Sequence, residues 1–142
     1  MTEPISIVLP AIEQSVARAR QFVEGVYDLA GLGCADLAKQ AVSELFTNVI
    51  KHTGTAKATV SVHTDLTVAI EDGRQIKGVR LEVFDTSPRR PVVASMDDWA
   101  AESGRGLAML VLMAAGWGVT QLGCGKAVWV DLPLELAAPA PA

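Results

Sequence analysis

Apolar residues along this chain switch repeatedly between a helical period and a strand period, and each switch marks an element. From Ile12 to about Leu29 the apolar positions Val16, Ala19, Phe22, Val23, Val26 and Tyr27 recur at helical spacing, with Arg18, Arg20 and Glu24 directed elsewhere. This predicts an amphipathic helix. "AGLG" interrupts it, and a second helix is predicted from about Ala35 to Lys51 with Leu37, Ala41, Leu45, Phe46 and Val49 as its core stripe. "HTGT" should end that helix. Ahead of both, "EPISIVLP" alternates apolar and polar residues between two prolines, the pattern of a short, half-buried edge strand.

Between Ala56 and Asp85 the composition turns β-branched and the period becomes two, in "KATVSVH", "LTVAIE" and "VRLEVFD". "EDGRQ" predicts a hairpin turn, and Thr64 and Asp65 mark a place where the preceding strand bends or bulges. The stretch "TSPRRPVVASMDDWAAESGRG" reads as a long loop with at most one helical turn around Asp97 to Ala101; loops of this length in a compact domain usually serve function or motion. A third helix is predicted from about Arg105 to Ala115, then a closing hairpin of "WGVTQL" and "KAVWVDLPL" around "GCGK". The order predicts an α+β fold, a two-layer sandwich with helices on one face of a mixed, mostly antiparallel sheet. Residues 1–136 form a single domain in this reading, and the Ala/Pro tail 137–142 is disordered.

Composition narrows the function. With 142 residues, half of them hydrophobic, the chain can bury one proper core. Its net charge of -4 and scattered basic residues disfavour direct nucleic-acid binding. "MTEPISIVLP" lacks the basic and apolar regions of a secretion signal, so a cytoplasmic protein is expected. The apolar run Gly106 to Val119 has 14 residues and three glycines, short of the roughly 20 needed to cross a bilayer; no membrane role is expected. Cys34 and Cys124 lack metal-ligand spacing and are expected to be reduced thiols in the core.

Three constellations carry candidate chemistry. In "ELFTNVIKH", Glu44, Asn48 and His52 stand four residues apart, each step drifting by about 40° on the helix wheel, and Lys51 lies close to that stripe. Asn is a middling helix former, so local stability does not explain Asn48. Its carboxamide oxygen is a hard, neutral ligand suited to Mg²⁺, and a carboxylate one turn earlier could take a proton from a hydroxyl; the other reading is a solvated polar face. In "VRLEVFDTSP", Asp85 ends a strand, either as a turn former bonding an N–H two residues on or as an acceptor for an exocyclic amine such as that of adenine. In "SGRGLAML", Gly104 and Gly106 open an apolar helix where backbone N–H groups and the macrodipole favour an anion, and Arg105 stands between them. "GCGKA" fails as a phosphate-binding loop, because Thr120 and Ala127 stand where Gly and Ser or Thr are required. It reads as a hairpin turn.

Taken in order, "ELFTNVIKH", "VFDTSP", "SGRGLAMLVLMAAGWGV" and "GKAVWVDLPL" resemble the N, G1 and G2 boxes of the GHKL ATP-binding superfamily, over about residues 5 to 134. Within it the chain looks most like the small anti-sigma factor serine kinases. The resemblance implies a Bergerat-type ATP-binding fold with a lid formed by about Arg89 to Ser103. It also implies ATP and Mg²⁺ as cofactors, with Asn48 holding the metal, Asp85 recognising the adenine amine and Glu44 acting as general base on a serine hydroxyl. Lys51, His52, Ser87, Gly104, Arg105, Gly106 and Leu107 would complete the ATP site. Implied partners are an anti-anti-sigma factor as substrate and a sigma factor, with a homodimer built near the first strand and helix. The alternative is a catalytically weak or inactive nucleotide-binding module that holds such a partner without phosphorylating it. Two departures point that way. Asp85-Thr86-Ser87 replaces the usual Asp-x-Gly, and the lid is short and glycine-poor, so weakened nucleotide affinity is expected.

Overall fold

The computed structural model describes residues 3–87 and 114–134. In chain order the elements are β1 (Ile5–Pro10), α1 (Gln14–Ala30), α2 (Asp36–His52), β2 (Lys57–Ala69), β3 (Gln75–Asp85), β4 (Gly116–Leu122) and β5 (Gly125–Pro133). The strands form one sheet in the order β1-β2-β3-β5-β4, and every neighbouring pair is antiparallel. The fold is α+β, as the alternation of periods predicts.

Both predicted helices form within two residues of their expected bounds. Their inner stripes, Ala19, Val23, Val26 and Tyr27 on α1 and Ala38, Ala41, Val42, Leu45, Phe46 and Val49 on α2, are buried. They join Val60, Val62, Val79, Leu81, Val83, Val128, Val130 and Leu132 in one core cluster, so one face of the sheet is covered by the helical layer. The two helices are also tied by Arg20, whose guanidinium donates to Ser43 Oγ at 2.7 Å, and by the exposed pair Lys39–Glu24 at 3.2 Å. Arg20 therefore faces α2 rather than solvent.

The strand between Lys57 and Ala69 is continuous, and its register shifts between His63 and Leu66, so Thr64 and Asp65 form a bulge rather than a break. Ile70 and Arg74 close the predicted hairpin, with Ile70 N–H donating to Arg74 O at 3.0 Å. The "GCGK" turn is tighter than expected. Gly123 and Cys124 make the turn, while Gly125 and Lys126 are already in β5.

Two expectations are corrected. Cys34 and Cys124 are exposed free thiols rather than core residues, because one lies in the linker between α1 and α2 and the other at the hairpin tip, where no second layer covers them. Ala114 and Ala115, placed at the end of a third helix, are not helical; Ala115 N–H instead donates to Asp131 O at 2.8 Å and leads into β4. The rest of that helix, the lid from about Arg89 to Ser103, Gly104, Arg105, Gly106, Leu107 and the tail 137–142 lie outside the described residues.

Candidate nucleotide site

The candidate residues lie in the C-terminal half of α2 and at the end of β3, two elements whose following segments meet at Thr55 and Thr86. Asn48 is only 2% exposed, whereas Glu44, one turn earlier, is half-buried and Lys51 and His52, in the last turn, are exposed. The stripe thus descends from solvent into the protein and returns. Basic groups at 51 and 52 suit a helix C-terminus, where the macrodipole is negative. α2 ends as "HTGT" predicts. Thr53 Oγ1 donates to Val49 O at 2.7 Å and accepts from Thr55 N–H at 3.2 Å.

Thr55 then reaches across to the second half of the site, its Oγ1 lying 3.0 Å from Thr86 Oγ1, in the segment that follows β3. Asp85 itself is fully buried, at 0% exposure. Its position follows from strand period: Val79, Leu81, Val83 and Asp85 share the inward face of β3, so the carboxylate ends an otherwise apolar stripe under the helices. Burying a carboxylate there requires compensation. One contribution comes from Ser87, whose N–H donates to Asp85 Oδ1 at 3.0 Å, the turn-forming contact expected of an Asp at a strand end.

The larger contribution comes from a residue that sequence reading passed over. In β5, Lys126, Val128, Val130 and Leu132 share the inward face, and the β3–β5 register sets Lys126 directly beside Asp85. Lys126 Nζ donates to Asp85 Oδ1 at 3.0 Å and stands at the same 3.0 Å from Oδ2; the lysine is 6% exposed. Period two from Val128 would have found Lys126 on the inner face. Close packing of the two strands requires Gly125, because a Cβ there would collide with the Asp85 carbonyl and come within 3.0 Å of Thr86 Cα.

The arrangement offers a buried carboxamide and a half-buried carboxylate one helical turn apart on α2, and at the end of β3 a second carboxylate already engaged by an ammonium. The described residues contain no group of three or more His, Cys, Asp or Glu side chains placed to hold a metal. Mg²⁺ that retains water and phosphate oxygens does not need one, and the hard oxygen of Asn48 fits such an ion.

A family model described as "Histidine kinase-like ATPase domain" matches residues 9–129. The chain belongs to the histidine kinase-like ATPase domain family. This ATPase-domain chain is also similar to the solved histidine kinase domain from the Erythrobacter litoralis EL346 blue-light activated histidine kinase, at 21% identity and a TM-score of 0.45 over 89% of this chain and 62% of that one. It therefore spans less than two thirds of that domain's length. No curated protein sequence matches it. Among the described residues no helix of this ATPase domain is long and apolar enough to cross a membrane.

Proposed function

We propose that this domain is an ATP-dependent protein serine kinase of the anti-sigma type, which phosphorylates a small anti-anti-sigma partner and sequesters a sigma factor. Besides family membership, one observation carries the reading. Asn48 is buried at 2% exposure in α2, and the Thr55–Thr86 contact ties the end of that helix to the segment after Asp85. This supports a metal ligand and a base-recognising acceptor on elements tied together at their ends.

Bound ATP with Mg²⁺ supplies the transferable phosphoryl group and the neutralisation of its charge. The chain's own residues position and accept. Asn48 contributes a neutral oxygen to the metal, and Glu44 receives the proton of the incoming serine hydroxyl, a role that its partial exposure permits. Lys51 and His52, exposed at the helix end, are assigned to phosphate oxygens. Asp85 and Ser87 face the base, while Gly104, Arg105, Gly106 and Leu107 are assigned to the phosphates from the sequence boxes alone.

Incubation with labelled ATP, Mg²⁺ and a candidate antagonist protein tests this reading. Transfer to serine is expected, with loss in Glu44→Gln and weakened ATP binding in Asn48→Ala. No transfer, together with unaltered ATP binding by Asn48→Ala, would falsify it.

A second reading is favoured by the Asp85–Lys126 pair, which engages the carboxylate expected to meet adenine. In it the domain is a regulatory module that holds a sigma factor or its antagonist without phosphorylating it. Calorimetric titration with ATP separates the two, since a protein that binds the partner but no nucleotide cannot be a kinase.

A further inference from the structure

We infer that Lys126 acts as an internal competitor of the nucleobase: its ammonium holds the place on Asp85 that the exocyclic amine of adenine would take, so adenine contributes little to nucleotide binding in the native protein. The inference rests on the proposed nucleotide site. What it adds is the role of a residue that neither the sequence boxes nor the family match assigns.

The observations are geometric. Asp85 Oδ1 already accepts two hydrogen bonds, from Ser87 N–H and from Lys126 Nζ, both at 3.0 Å. Oδ2 is buried, has no hydrogen bond of its own, and lies 3.0 Å from the same ammonium. None of Asp85 is exposed. A base amine approaching this carboxylate would therefore compete with Lys126 for both of its oxygens.

That exchange is unfavourable. An ammonium–carboxylate contact is charge-assisted and roughly twice as strong as the neutral hydrogen bond that an aromatic amine would offer in its place. The displaced lysine must also leave a pocket in which it is 6% exposed. Nor can Lys126 withdraw along its strand, because the register pairs it with Asp85 and Gly125 is packed against the Asp85 carbonyl. The side chain can only rotate away.

Two triphosphates decide the matter, Mg·ATP and Mg·purine riboside triphosphate, which lacks only the 6-amino group. Phosphate and metal contacts fall on other residues, so the wild type should bind both, with dissociation constants within about threefold of each other. Lys126→Thr should bind ATP at least about tenfold more tightly than the wild type and prefer it to the deamino analogue by a similar factor. Adding Asp85→Asn to that variant should abolish the preference. A wild type that already favours ATP about tenfold, or a folded Lys126→Thr whose ATP affinity is unchanged or lower, overturns the inference and leaves the nucleotide site standing. A wild type that binds neither triphosphate overturns both. The comparison of the two triphosphates on the wild type decides the inference even if Lys126→Thr fails to fold.

Discussion

Thr55 and Thr86, 31 positions apart in sequence, face each other hydroxyl to hydroxyl at 3.0 Å. The contact joins the linker leaving α2 to the segment leaving β3, so the elements that carry Asn48 and Asp85 are held together at their ends. Because it is exposed, water competes for it and its net worth is modest. Thr55→Val and Thr86→Val should each destabilise by about 0.5–1 kcal/mol. In a double-mutant cycle followed by urea denaturation their effects should be non-additive; full additivity would show that the hydroxyls do not interact in solution.

The buried pair of Asp85 and Lys126 should behave asymmetrically. Asp85→Ala strands an ammonium in the interior and should cost about 3–5 kcal/mol. The double variant Asp85→Leu/Lys126→Met removes both charges while keeping volume, and should recover most of that loss. Chemical denaturation of the three proteins measures it. A double variant as unstable as Asp85→Ala would mean that the pair contributes more than mutual compensation.

Gly78 is confined from two sides. A Cβ there would lie 2.7 Å from Val68 Cγ1 and 2.9 Å from the Leu132 carbonyl, and the backbone oxygen cannot step aside without disturbing the β3–β5 ladder. Gly78→Ala should destabilise by roughly 1–3 kcal/mol through overpacking, despite alanine's lower conformational entropy when unfolded. Thermal melting of this variant gives the sign directly, and a raised midpoint would contradict the packing argument.

Alkaline pH should weaken the fold through Tyr27. Burial, reinforced by Cys34, pushes its phenol from 10.0 to about 12. Below pH 10 the phenol is neutral in both states and adds no pH dependence. Between about 10 and 12 the unfolded chain loses a proton that the folded one keeps, so stability falls, by roughly 3 kcal/mol at most. Tyr27 is the chain's single tyrosine, so an ultraviolet titration of phenolate reports it alone. A native midpoint near 10 would refute the assignment, and Tyr27→Phe should flatten the alkaline limb.

Much of this architecture was written in local pattern. Helical spacing set α1 and α2 to within two residues, period two set β2, β3 and β5, and the Gly- and Asp-bearing turns fell where hairpins close. These properties depend on neighbours three or four positions away, which is why the sequence carries them. The stripe Glu44, Asn48 and His52 was legible for the same reason, and so was Asp85 at a strand end. The bulge at Thr64 and Asp65 was only half legible, since a bend and a bulge share the same polar interruption and the partner strand decides between them.

By itself, then, the sequence determined the elements, their inner faces and the candidate chemistry on α2 and β3. Tertiary structure alone decided that β5 and not β4 lies beside β3. Strand order depends on burying one continuous face against the helices, a requirement of the whole chain rather than of any window in it. From that order comes the register that sets Lys126 against Asp85 across 41 positions. A lysine that reads as part of a turn becomes the partner of the most buried carboxylate in the candidate site, because a charge on the inward face of a sheet must find its counter-charge there.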